Sequence, residues 1–439
     1  MLKTMLKIDT RFIHKDIRKR ADDLLSPACN AFSELVAKTC RGREWTGFWN
    51  YPQQQGYEVN KGIDSYISTI PHAYDAVVLL GIGGSLQGVQ AVHDALRKTR
   101  LRLLFAGYHL SAGMTNAVLE QLEQCQPLLV VVSKSGETLE TAVAFRVFRN
   151  YLEQRYRKHE ACQRTIVVTD PDSGSLRAFS NANNCQAFSI PADVGGRYSV
   201  LTAVGLVPLA LAGYDTTMLL QGADAFYTQM INTDNPAVIY AATRNAAYQA
   251  DKHVEVLSYC DPHLRSLAAW WQQLFGESEG KDGKGILPTT MALTSDLHAL
   301  GQYLQDGRRN MLETFLVVED MQSASTQVPT DPLPAVGQRQ DYLANKTMQE
   351  LNAIAINSTR LAHHDGGVPN MSIILSRLDA YGLGYLFAFW QTACAISGAL
   401  LGVNPFDQDG VENYKRNMLA LAGKSGLESE AEKLRSRLQ

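Results

Sequence analysis

The chain has 439 residues, 45% hydrophobic and 19% charged, with 41 Lys and Arg against 44 Asp and Glu for a formal charge of −3. That length leaves room for two or three domains and a large core, and a near-neutral balance without a long basic tract disfavours nucleic acid and anionic membrane as partners. The seven cysteines, Cys29, Cys40, Cys125, Cys162, Cys185, Cys260 and Cys394, stand singly without a C-x-x-C pair, which points to a reducing cytoplasm and away from structural zinc or a disulfide framework.

The first residues, Met1-Leu2-Lys3-Thr4-Met5-Leu6-Lys7, carry charge too early for a signal peptide. No uncharged apolar run of about eighteen residues is picked out, so a soluble protein is expected. Residues 10 to about 70 are read as helical, with Leu24, Leu25, Phe32, Leu35 and Val36 giving a partial apolar stripe. The aromatic stretch from Gly42 to Gly62 is read as an irregular connector without chemistry.

From Ala76 strands and helices alternate. Ala76-Val77-Val78-Leu79-Leu80 runs into Gly81-Ile82-Gly83-Gly84-Ser85 and a helix ending at Leu96; Leu101 to Phe105 is a strand; Ala117 to Gln124 is helical; Leu128 to Val132 and Thr165 to Thr169 are strands. Repeated βα units of this kind build a parallel sheet covered by helices, with ligands at the carboxyl ends of its strands. The glycine turn is not a dinucleotide fingerprint, because the third glycine counted from Gly81 would fall at Leu86. Nor is there a Walker loop: the one G-K-S, Gly423-Lys424-Ser425, has Met418 where the leading glycine belongs.

The strand at Leu128–Val132 ends in Ser133-Lys134-Ser135-Gly136-Glu137-Thr138, followed by helical spacing from Thr141 to Tyr156. Hydroxyls, a lysine and a glycine at the positive end of a helix dipole make a phosphate cradle. A capping box does not account for the cluster, since the positions three after Ser133, Ser135 and Thr138 are Gly136, Thr138 and Thr141.

Further on, Asp193-Val194-Gly195-Gly196-Arg197-Tyr198-Ser199 leads into an apolar helix through Leu211. Residues 215 to 260 read as helices closing on a short strand, Val254-Glu255-Val256-Leu257. An amphipathic helix capped at Gly276 then delivers Glu277, Glu279 and Lys281 into a loop. Strands at Thr314–Val318 and Met371–Leu375 are the clearest in the second half. The adjacent His363-His364 pair lacks a third ligand at a diagnostic spacing, and no metal site is expected.

Five ordered blocks, Gly81–Ser85, Ser133–Thr141, Asp193–Leu201, Gly276–Lys281 and Phe406–Lys415, with Asp296-Leu297-His298 between the last two, resemble the phosphoglucose isomerase family, in its short bacterial form. The resemblance implies an α/β fold of two sugar-isomerase (SIS-type) domains, each a parallel sheet flanked by helices, with helical N- and C-terminal extensions. Residues 1–62 would form the N-terminal extension, 63–205 and 206–380 the two domains, and 381–439 the C-terminal segment.

It further implies reversible isomerisation of glucose 6-phosphate and fructose 6-phosphate through a cis-enediol, in glycolysis and gluconeogenesis. Glu277 matches the family's catalytic base, Arg197 the fixed charge beside the enediolate, and His298 and Lys415 the ring-opening groups. Gly84, Ser85, Ser133, Lys134, Ser135 and Thr138 match phosphate and sugar contacts, with Gln408 close to the ligand. The resemblance implies no cofactor, and a cytoplasmic homodimer whose histidine enters the neighbouring subunit's site.

Two departures stand out. Glu137 occupies a place where many relatives carry a hydroxyl, and Leu86-Gln87-Gly88 follows Ser85 where an acidic residue or tyrosine is more usual. Glu279 remains a rival for the base. A non-catalytic sugar-phosphate regulator, or an isomerase of another hexose phosphate, is the alternative function.

Overall fold

Uninterrupted runs of Val, Leu and Ile are the signature of strands buried on both faces, and here they build two five-stranded sheets. The computed structural model describes residues 5–70, 73–97, 101–230, 235–330 and 341–439. Sheet one contains β2 (Ala76–Leu80), β3 (Arg102–Ala106), β4 (Pro127–Val132), β5 (Thr165–Thr169) and β6 (Gln186–Ser189), in the order β3-β2-β4-β5-β6 and wholly parallel. Every residue of β2, β4 and β5 is buried.

Sheet two has the order β1-β10-β9-β7-β8, from β1 (Leu6–Phe12), β7 (Val254–Tyr259), β8 (Leu287–Ala292), β9 (Met311–Val318) and β10 (Asn370–Leu375). Its four later strands are parallel, while β1 closes the edge antiparallel to β10. The N-terminal extension is therefore not helical throughout. Helices α1 (Lys15–Val36) and α2 (Tyr57–Thr69) follow β1.

Helices α3 (Gln87–Leu96), α4 (Ala112–Leu122), α5 (Leu139–Gln163) and α6 (Ser175–Asn183) connect the strands of sheet one. Helices α7 (Ala203–Ala212), α8 (Thr216–Met230) and α9 (Pro236–Tyr248) cross to sheet two, where α10 (Arg265–Glu279) and α11 (Leu300–Asp306) lie between strands. The cradle helix, expected from Thr141, begins two residues earlier at Leu139, which sets Thr138 at its N-cap.

Three sequence expectations are corrected. Ala380–Leu401 is a 22-residue uncharged apolar helix, long enough to cross a membrane, that the sequence reading passed over; 89% of its apolar window is buried, packed against α8, α9 and α10. Cys162 and Cys185 are not single but joined by a disulfide, with Cα atoms 5.4 Å apart; the end of α5 folds back beside the entrance to β6 across a separation of 23 residues, a proximity that spacing alone does not signal. Helix α10 does not stop at Gly276 but continues to Glu279 and is capped at Gly280. That last difference decides the fate of two carboxylates.

Candidate active site

Strands β2 and β4 pair in register, Leu80 opposite Val131, so the glycine turn and the cradle leave the sheet side by side. Gly83–Ser85 forms a single 3-10 turn in which Gly83 has φ +56. A Cβ on Gly84 would lie 2.1 Å from the carbonyl oxygen of Gly196, and one on Gly83 would lie 2.9 Å from Nε2 of Gln273. Only glycine permits that approach, and through it the turn is pressed between the entrance to Arg197 and the face of α10. Ser85 is half-buried in the same turn.

Arg197 is 2% exposed. Its Nε donates to Ser278 Oγ at 2.7 Å, and its Nη2 donates to the carbonyls of Pro405 and Asp407 at 2.5 and 2.9 Å. The remaining Nη1 stands 3.6 Å from Oε2 of Glu277, a carboxylate whose side chain is 27% exposed. Gln273, one helical turn earlier on α10, donates its amide to Glu277 Oε1 at 2.9 Å. The base candidate is thus held on one oxygen by an amide and faced on the other by a guanidinium with no freedom to swing away.

Successive residues of an α-helix are rotated by about 100°, so Glu277 and Glu279 lie about 200° apart and face opposite ways. Glu279 is fully buried and ion-paired to Arg244, which also pairs with Glu255; all three side chains are 0% exposed. Tyr240 and Thr314 each donate to Glu255 at 2.7 Å, and Arg244 donates to Ser397 Oγ at 3.1 Å. Glu279 belongs to the core and has no path to a ligand, which removes it as a rival.

Beyond α10, Lys281 Nζ lies 2.6 Å from Asp407 Oδ1 and donates to the carbonyls of Asn404 and Asp407. Burial pushes its pKa below the usual lysine range, with the Asp407 hydrogen bond working the other way. Lys284 donates to the carbonyl of Leu401 at 3.0 Å. The chain from Leu401 to Asp407 is therefore fastened by three cations, Arg197 among them. It borders a pocket of about 590 Å³ whose walls include Arg41, Glu277, Lys281, Asp407 and Gln408. Lys415, one turn into the helix Glu412–Leu421, is paired with Glu412 at 2.8 Å rather than lining this pocket.

In the cradle, buried Ser133 accepts the Gly136 N–H at 3.1 Å and lies 3.3 Å from the Thr138 hydroxyl. Exposed Ser135 accepts the Glu137 N–H at 3.1 Å. Thr138 makes no side-chain cap bond, so the leading N–H groups of α5 stay open to an anion. Lys134 does not join them: its Nζ donates to the Ala192 carbonyl at 2.8 Å and lies 4.7 Å from the centre of the Trp45 ring. Burial lowers its pKa, opposed by Asp170 and Asp193.

His298 is exposed on the 3-10 turn Ser295–His298 after β8. Gly276 and Gln272 sit at the other end of that strand, against Pro288. The six residues of β8 separate the two ends by roughly 17 Å, so within one chain His298 and Glu277 do not meet. Gln273, Ser278 and Arg41 are site residues that the motifs do not single out. The signal for Gln273 is its four-residue spacing from Glu277 on one helix, which an end at Gly276 hides.

An open helix N-terminus and a carboxylate facing an immobile guanidinium, carried on two largely parallel five-stranded sheets, fit the class of sugar-phosphate isomerases. The chain belongs to the phosphoglucose isomerase family, whose model matches residues 65–432. It is 43% identical over 423 residues to the glucose-6-phosphate isomerase of Shouchella clausii (strain KSM-K16), covering 93% of each chain. To that of Symbiobacterium thermophilum it is 44% identical over 418 residues, covering 92% of each. The structure is also similar to that of a glucose-6-phosphate isomerase from Chlamydia trachomatis, with a TM-score of 0.82, 18% identity, and coverage of 99% of this chain and 92% of the other.

Proposed function

We propose that Glu277 is the base and Arg197 the fixed charge in the interconversion of glucose 6-phosphate and fructose 6-phosphate, the reaction of the family to which the chain belongs. The phosphate docks on the cradle of Ser133, Ser135 and Thr138 at the start of α5, with Gly84 and Ser85 closing the neighbouring side. His298 and Lys415 open the sugar ring by moving a proton between the ring oxygen and the anomeric hydroxyl. Glu277 then takes the proton from C2 of the open aldose and returns it to C1 while the hydroxyl proton passes from O2 to O1, and the reverse transfers run the reaction backwards. No electron leaves the substrate and no cofactor is required.

Negative charge gathers on the substrate oxygens as the cis-enediol forms, and a guanidinium stabilises it without surrendering its own proton. The observation that carries this reading is the 3.6 Å approach of Arg197 Nη1 to Glu277 Oε2, while Glu279 is locked into the core. The reading also requires a homodimer, because His298 and Glu277 stand at opposite ends of β8 and a second copy must bring the histidine. The cell compartment in keeping with a substrate of central carbon metabolism is the cytoplasm.

The test is a coupled assay of fructose 6-phosphate conversion, run on the wild type and Glu277→Gln. Turnover should fall by about 10²–10⁴-fold, the usual contribution of a positioned base, with sugar-phosphate binding retained. Turnover near wild type in the variant would move the base elsewhere.

A further inference from the structure

Two features of the cradle are unresolved by the mechanism. Its own lysine, Lys134, is committed to the carbonyl of Ala192 and the face of Trp45, and a carboxylate, Glu137, stands one residue before the N-cap Thr138. A phosphate dianion would meet a helix terminus and hydroxyls, but also an uncompensated negative charge. The turn that joins the last two helices, Glu412–Leu421 and Glu428–Leu438, answers both. It contains Gly423-Lys424-Ser425-Gly426, the G-K-S that is no Walker loop, and Lys424 Nζ lies 3.4 Å from Glu137 Oε2 across 287 residues of sequence.

The turn is a shaped element. Gly423 and Gly426 have φ +86 and +85, values that favour glycine, and the Lys424 N–H is bonded to the Leu419 carbonyl at 3.0 Å. The two helices it joins are fastened by Arg416 to Glu430 and packed through buried Ala420 and Ala431. Lys424 and Glu137 keep 48% and 66% of their side chains exposed, so water screens the pair and the ammonium can exchange the carboxylate for another anion.

We propose that Lys424 is the cation of the phosphate site, delivered by the C-terminal helical hairpin and held in register by Glu137 until substrate arrives. Glu137 is then a peg for the lysine rather than a defect in the cradle. This inference rests on the cradle being the phosphate site, and Lys424 acts on binding of the phosphoryl group, not on the proton transfer.

The experiment measures KM for fructose 6-phosphate and Ki for inorganic phosphate in the wild type, Lys424→Ala, Lys424→Arg, Glu137→Gln and the double variant Glu137→Gln/Lys424→Ala. Lys424→Ala should raise KM and Ki several-fold with a smaller change in kcat, and Lys424→Arg should restore most of the loss. The loss should shrink as salt is raised, because the added attraction is screened. Glu137→Gln should lower Ki when Lys424 is absent and fail to do so when it is present, so the two effects are non-additive. Additive effects, or Lys424→Ala within twofold of wild type, overturn the proposal. Ser135→Ala separates the two failures: Ki unmoved by either Ser135→Ala or Lys424→Ala overturns the cradle itself, whereas Ki moved by Ser135→Ala alone overturns only the role of Lys424.

Discussion

Replacing Glu279 by Gln asks whether two carboxylates on one helix have been given the right jobs. Arg244 is 0% exposed and holds Glu255 and Glu279 together, and its Nη2 has no hydrogen-bond partner among the described residues. Glu279→Gln leaves Arg244 still paired with Glu255, so what is lost is one buried charge-assisted contact, about 1.5–3 kcal/mol. With 1 kcal/mol worth about 2–4 °C in a domain of 150–250 residues, the melting temperature should fall by roughly 3–12 °C. Differential scanning fluorimetry reads that shift, and the coupled assay at a temperature where circular dichroism shows the variant folded reads the chemistry.

The expectation is a measurable loss of stability with turnover per folded molecule within a few-fold of wild type. Glu277→Gln should give the reverse, because that side chain is 27% exposed and its ion pair spans 3.6 Å: a small change in melting and a large loss of turnover. A Glu279→Gln enzyme that melts like the wild type and does not turn over would refute the assignment of the base and the argument from helix geometry together.

Arg197→Lys removes a fork that reaches Ser278, Pro405 and Asp407 at once; kcat should fall by about 10²–10³-fold with a smaller change in KM, and a change confined to KM would remove the enediolate role. If a second copy supplies His298, inactive Glu277→Gln and His298→Ala proteins should complement when their subunits are mixed. Half the dimers would be mixed and one of their two sites intact, restoring about a quarter of wild-type activity. No recovery above the two parents would mean that each chain completes its own site.

Sheet one was readable because β2, β4 and β5 are apolar runs buried on both faces, where composition and burial coincide. Strand β6 escaped notice because Gln186–Ser189 is only partly buried and carries no such run. Edge strand β1, Leu-Lys-Ile-Asp-Thr-Arg-Phe, alternates apolar and polar residues as an antiparallel edge should, but its charges drew attention to targeting instead. Ala380–Leu401 was overlooked for the opposite reason: a helix apolar all round belongs in a core, and its 22 residues carry no charge at all.

The site was legible as a set of blocks and less so as geometry. Glu277 and Gln408 line one pocket, and Arg197 approaches Glu277 from the buried side. Lys134 and Lys415 follow from their places in the matching blocks, and the partners they take, the Ala192 carbonyl and Glu412, are set by packing and by local charge that a motif does not record. The ending of α10 at Gly276 followed a sound preference for glycine at helix termini; tertiary contact with Pro288 and the buried anchorage of Glu279 carry the helix past it.

Arg197 draws its carbonyl partner at Pro405 from 208 residues further along the chain. During synthesis, the guanidinium therefore lacks the loop that aims it until Pro405 has been made. A ribosome-bound chain stalled before Pro405 would lack the carbonyls that aim Arg197, and on the proposed mechanism chemistry would switch on only after that loop has emerged and docked. Measured on chains arrested at successive lengths, the onset of turnover would mark the moment when the two ends of the polypeptide first cooperate.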